Sequence, residues 1–309
     1  MSAEAVRSAF TRTFLQLAKA DQTLYAVATD SRGSVTLGGF AEQLPGQFVE
    51  CGIAEQDAIG ISAGLANAGL RPFACGPACF YSLRSAEQIK VDVAYSRQNV
   101  KIIGVSGGVS YGALGATHHA TQDISLMRAI PGIEIFLPSD GPQMVKLTED
   151  LAKSSQPAYV RMGRGAVPTV YENEAPFIPG KANRLRMGMD ATLIACGEMV
   201  YHALEAARLL EVRGVSASVY DMHTLRPLDE AAILEAAETG LVVTVEEHNV
   251  HGGLGGAVAE VLAQKRPVKM ALLGLPDETL YTGTSTEVFE HYGLTGEGVA
   301  ASVHKALGR

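Results

Sequence analysis

A glutamate at the mouth of a segment otherwise built from small and apolar residues is the first place in this sequence where chemistry could happen. A largely apolar run from Phe48 to Gly52 leads into Ala54-Glu55-Gln56-Asp57, and from Gly60 to Leu70 the chain carries no charge. The pattern reads as strand, turn and helix. An acid in a helix's first turn favours its positive end by about 0.3–1 kcal/mol, which is reason enough for Asp57. Glu55 lies nearer the strand's carboxyl end, where open parallel sheets place their ligands. On the local pattern alone, a helix-start acid and a functional acid both remain open for Glu55.

Three further segments follow predicted strands and converge on the same sheet edge. Residues 75–95 carry Phe80, Tyr81, Arg84 and Gln88; residues 105–132 form a glycine-rich stretch with His118 and His119; residues 159–168 end a strand with Arg161 and Arg164. Each has an ordinary reading as core aromatics, surface loop or solvated arginines. Together they supply a carboxylate, aromatic rings, histidines and arginine at one edge, the parts of a pocket with acid–base and anion-binding capacity. Cys51, Cys75, Cys79 and Cys196 stand in apolar surroundings with no second Cys/His pair at ligand spacing, and read as buried free thiols. The stretch "HNVHGGLGGAVAEVLA" (248–263) opens a helix with glycines, but its spacing is not G-x-G-x-x-G, so close helix packing is the better reading than a phosphate cradle. Glu246, Glu247 and His248 before it read as polar contacts between domains.

The elements that must position these residues alternate. Strand-like runs at Leu24–Ala28, Phe48–Cys51, Arg71–Cys75, Lys101–Val105, Glu134–Leu137 and Ala158–Arg161 are separated by helical patterns, notably Ala54–Ala68, Ser85–Ser96 and Gly141–Ala152. Such alternation predicts an α/β fold with parallel sheets and right-handed crossovers. A Pro/Gly/Asn-rich passage breaks the rhythm, which restarts with "ATLIACG", "VSASVYD", "GLVVTVEE" and "PVKMALLG". The expectation is two domains, residues 1–170 and 186–309, each with a mostly parallel sheet flanked by helices, joined by a linker over 171–185. With 309 residues, 47% hydrophobic, both can bury a core. A net charge of −8 with scattered Lys and Arg argues against a nucleic-acid surface. No apolar run reaches the roughly 18 residues of a membrane span, and the amphipathic N-terminus is unlike a signal peptide, so a cytoplasmic location is expected.

The segments "GIAEQDAIGISAGLANAGLRPF", "FYSLRSAEQIKVDVAY", "GATHHATQDISLMRAIPGIEIFLPSD" and "YDMHTLRPLDEAAI" resemble the pyrimidine-binding and C-terminal domains of transketolases. Deoxyxylulose-phosphate synthases and 2-oxoacid dehydrogenase beta subunits share those domains, and the resemblance covers nearly the whole chain. It implies thiamine diphosphate held between two chains, with Glu55 hydrogen-bonding the 1′ nitrogen of the aminopyrimidine. A poorly solvated carboxyl there can share its proton with the ring. The resemblance places Phe80 and Tyr81, with Tyr81 preferred, where an aromatic ring stacks on the pyrimidine. Gln88 and Arg84 support that site, and Asp30 in "VATDSRG" stands near the cofactor. His118, with His119 beside it, faces the substrate, and Arg164 holds its terminal phosphate. Two positions depart from the family: Leu114 replaces an acid before "GATHH", and Ser106 replaces a phosphate-binding histidine. The Gly-Asp-Gly and Asn signature of the amino-terminal diphosphate domain is absent; "SDGPQ" (139–143) is the nearest string. Magnesium and diphosphate ligands are therefore expected on a separate N-terminal transketolase subunit, in a dimer or heterotetramer that moves two-carbon ketol units between sugar phosphates. A 2-oxoacid dehydrogenase beta subunit is the rival enzyme, and a non-catalytic regulatory or scaffolding partner is the rival of another class.

Overall fold

The computed structural model describes residues 3–171 and 176–309. The chain divides into two compact units, Met1–Gly107 with Leu126–Phe177, and Gly108–Ser125 with Ile178–Arg309.

In the first unit six parallel strands lie in the order Glu134–Phe136, Ala158–Met162, Lys101–Val105, Arg71–Pro77, Leu24–Ala28 and Phe48–Glu50. Their central members are buried along their whole length, as strands covered on both faces must be. The helix Val6–Ala20 turns Val6, Ala9, Phe10, Phe14 and Ala18 towards the sheet, spaced for one helical face. Phe14 packs its ring 4.3 Å from that of Phe73 and 5.0 Å from that of Phe40. The helix Gly141–Leu151 lies beside it, capped by Asp140, whose side chain accepts from the Gln143 N–H. This core fixes the strands whose carboxyl ends carry the candidate residues.

The second unit holds parallel strands in the order Lys269–Leu275, Leu241–Asn249, Ala191–Ala195 and Ala217–Asp221, with Asn183–Arg186 pairing antiparallel at the edge. Both sheets agree with the expected α/β class. The passage 171–185 is less of a linker than its composition predicts. The N–H of Tyr171 donates to Asp140, and Asn183–Arg186 is an edge strand whose polar side chains give no apolar alternation to detect. Residues 172–175 of that passage lie outside the described residues. The larger departure is the stretch Gly108–Ser125, which leaves a strand of the first unit but packs with the second. Among the described residues, no helix is long and apolar enough to cross a membrane.

Candidate functional site

Glu55 owes its place to the turn after the strand Phe48–Glu50. Gly52 takes the left-handed conformation at φ 72°, and its carbonyl accepts from the N–H groups of Ala54 and of Asp30, the latter at the end of the neighbouring strand. Glu55 then opens the helix Glu55–Asn67, with Asp57 in the same first turn. Only 5% of Glu55 is exposed. A carboxylate so enclosed needs a partner, and Arg84 supplies it, donating from Nη1 to Glu55 Oε1 at 3.0 Å. The same guanidinium lies 3.9 Å from the centroid of the Phe80 ring. Gln56 donates to the Arg84 carbonyl at 3.0 Å. Glu55, Arg84 and Phe80 thus form one stack beside a cavity of about 390 Å³, lined by residues 53–57 and Arg84.

The aromatic pair separates in a way the residue pattern does not foretell. Tyr81, the preferred stacking ring, is fully buried. It lies against Gly76 of the preceding strand, where an added Cβ would come 2.2 Å from Tyr81 Cε2. Adjacent residues on a helix point about 100° apart, so when Tyr81 fills that socket Phe80 is left partly exposed, under Arg84. Burial pushes the Tyr81 phenol up, and its hydroxyl has no hydrogen-bond partner among the described residues. Removing an unmatched buried hydroxyl costs little, since such groups are themselves a penalty of about 1–3 kcal/mol. Tyr81→Phe should therefore leave the thermal midpoint unchanged or raise it by up to about 4 °C. A clear fall in a melting experiment would show that the hydroxyl has a partner and a role.

The other expected residues distribute as follows. Asp30 is exposed at the carboxyl end of Leu24–Ala28, tied to the Glu55 turn through Gly52. Gln88 donates to Glu87 at 2.9 Å and borders a second, adjoining hollow with Gln56 and Asp57. Arg161 is buried within the strand Ala158–Met162, and Arg164 is half-buried just beyond it. In the second unit, His118 is half-buried, with Nδ1 2.9 Å from Thr117 Oγ1 and its ring edge-on to Tyr111. His119 turns inward instead. It is buried, donates from Nε2 to the Gly112 carbonyl at 3.2 Å, and burial lowers its pKa, which keeps it neutral. That contact ties His119 to the backbone of its own loop. The two phosphate-like features also resolve. The amides opening the helix Leu254–Lys265 are taken by the chain's own Glu246, which accepts from Leu254 and Gly255 at 2.7 and 2.8 Å. Ser106, at φ 61° and fully enclosed, ends the strand Lys101–Val105.

Comparison with known proteins gives a consistent picture. Residues 2–169 match the family described as transketolase, pyrimidine binding domain, and residues 180–299 match transketolase, C-terminal domain. The chain is 57% identical over 297 residues to an apulose-4-phosphate transketolase subunit of Phocaeicola vulgatus, covering 96% of this chain and 95% of that one. It is 35% identical over 305 residues to a 6-deoxy-6-sulfo-D-fructose transketolase subunit of a Clostridium species, covering 98% and 95%. Among solved structures, one titled as a split gene transketolase, inactive beta4 tetramer, superposes with a TM-score of 0.90 at 36% identity, over 99% of each chain.

Proposed function

We propose a function from one premise: this chain belongs to the transketolase family. It is a transketolase subunit of the two-chain kind, a transferase that works on thiamine diphosphate with a companion subunit. The observation that carries this reading is the end-to-end correspondence with proteins that are themselves transketolase subunits. The dehydrogenase alternative has no such support. Apulose 4-phosphate is the first substrate to try, because the relative named for it shares more than half its residues with this chain. The magnesium and diphosphate ligands belong to the companion, and we place the complex in the cytoplasm, with an assembly of this chain alone inactive.

The residues present suit the pyrimidine end of that cofactor: an enclosed carboxyl beside a cavity, with a partly exposed aromatic ring next to it. Bound thiamine diphosphate supplies the carbon nucleophile and electron sink that carry the two-carbon fragment between donor and acceptor. Glu55, shielded from water, exchanges a proton with the 1′ nitrogen of the ring. Phe80, in place of Tyr81, offers the stacking face, while Gln88, from the adjoining hollow, and Asp30, tied to the Glu55 turn through Gly52, support the cofactor. His118 meets the substrate's hydroxyl groups, and Arg164 binds its terminal phosphate as a charge-assisted donor.

The test is reconstitution with the companion chain, thiamine diphosphate and magnesium, followed by ketol transfer from several ketose phosphates to an aldose phosphate. His118→Ala should lower turnover by an amount that differs between donors, up to roughly a hundredfold for the best one, with cofactor affinity unchanged. Absence of transfer in the wild-type complex from every phosphorylated ketose, apulose 4-phosphate included, would remove the reading. Equal loss with every donor together with weakened cofactor binding would move His118 from substrate to cofactor.

A further inference from the structure

The loop that carries His118 leaves a strand of the pyrimidine-binding domain, yet its anchors lie in the C-terminal domain. At its stem, Gly108 and Ala120 exchange backbone hydrogen bonds of 3.0 and 2.7 Å, which closes the stretch between them into a ring. The next amide, Val109 N–H, donates to Glu247 Oε1 at 2.8 Å. Glu247 is 4% exposed and sits in the strand Leu241–Asn249, every residue of which is buried. The approach is so close that a Cβ on Gly108 would fall 2.1 Å from the carboxyl carbon. Only a glycine lets the loop's backbone reach that carboxylate.

Two more stations fix the same loop. Beyond the stem, the Asn249 N–H donates to the Thr121 carbonyl at 2.9 Å, and the Ser125 N–H donates to His248 Nε2 at 3.3 Å. At the tip, Gly115 takes φ 67°, and a Cβ there would come 3.1 Å from Thr282 Oγ1. Thr282 precedes a helix start made rigid by a capping box between Thr284 and Glu287. The Gly115 carbonyl in turn accepts from the N–H groups of His118 and His119. The backbone at His118 is therefore one residue-to-residue link from the tip contact and one closed ring from Glu247. A buried carboxylate is costly unless its oxygens are matched, so Glu247 and the Val109 amide hold each other in place.

We propose that the C-terminal domain sets the position of the His118 loop, and that Glu247 is the positioning residue through which it does so. The proposal rests on the substrate role given to His118 above. It assigns the second domain a function in the reaction, exerted through the backbone of the His118 loop.

Hydrogen–deuterium exchange on the full chain, followed by kinetics of the reconstituted complex, tests it. In Glu247→Ala, peptides covering residues 106–120 should exchange roughly tenfold faster, the size expected for losing one hydrogen bond to a charged acceptor. Peptides of the helix Glu55–Asn67 should be unchanged. Glu247→Gln keeps an acceptor oxygen and should recover most of the protection. With the companion present, Glu247→Ala should raise KM for the ketose phosphate donor more than it lowers kcat and leave thiamine diphosphate affinity within about twofold, as expected when a substrate contact loosens. If Glu247→Ala exchanges faster everywhere, Gly115→Ala serves instead, because it disturbs the tip contact and leaves the Glu247 carboxylate in place. Unchanged exchange at 106–120 in the folded variants overturns the anchoring, whatever the enzyme does. Faster exchange there with normal donor kinetics overturns the link to His118. Because exchange needs no turnover, either result stands apart from a failure of the transketolase reading itself.

Discussion

Glu55→Gln should lower ketol transfer by the reconstituted complex at least roughly a hundredfold, the usual worth of an acid–base step, while the protein stays folded. The amide has nearly the shape of the carboxyl. Its oxygen can still accept from Arg84 Nη1, which now stands 3.0 Å from Glu55 Oε1, so Arg84 keeps its place over Phe80. The lost charge at the helix start is worth only about 0.3–1 kcal/mol. What the amide cannot do is give up or take a proton at the position facing the ring nitrogen. Turnover and a thermal melt on the same preparation separate the two effects. Near-normal turnover would take Glu55 out of the chemistry. A fall in midpoint of much more than about 4 °C would mean that the carboxylate's first duty is structural.

The contrast between Glu55 and its neighbours shows what a sequence can reveal. The strand boundaries near the site are carried by local signals: apolar runs and the glycines that end them, so Lys101–Val105 and the helix after Gly52 stand where the pattern puts them. Glu55 is legible because an acid in an apolar context is locally anomalous. Tyr81 and Phe80 are not distinguishable in the same way, since a seven-residue helix has too few turns to fix its phase. The deciding partner, Gly76, lies five positions upstream and looks like any glycine at a strand end. His118 and His119 present the same problem, and only the Gly112 carbonyl, which accepts from His119, breaks the tie. The most distant dependence is the least legible. Val109 meets Glu247 across 138 positions, and no periodicity or composition in either segment announces the other. Leu254 and Gly255 form the opposite case: the spacing of the surrounding glycines already spoke against a phosphate site, and Glu246 fills the helix start.

Without its companion this chain should fold and associate, bind thiamine diphosphate no better than about millimolar, and transfer no ketol group. Each unit buries its own apolar core, so neither needs a second chain to become compact. The affinity is a different matter. Among the described residues no group of three or more His, Cys, Asp or Glu side chains stands where it could hold a metal ion, and the net charge of −8 works against a diphosphate that arrives without its magnesium shielded. The pyrimidine end offers one hydrogen bond at Glu55 and one ring face at Phe80, together a few kcal/mol, which corresponds to roughly millimolar binding before ordering costs. Even that face is in use. Arg84 lies 3.9 Å over the Phe80 ring while pairing with Glu55, so a stacking pyrimidine must first displace a cation from both, at a cost of about 0.5–1 kcal/mol for the ring contact alone at an exposed site. Binding should tighten by orders of magnitude only when the companion brings magnesium and diphosphate ligands. Calorimetry with thiamine diphosphate and magnesium on the isolated chain, repeated with the companion present, measures both states. Micromolar affinity for the isolated chain, or ketol transfer by it, would overturn the division of the cofactor site between two subunits.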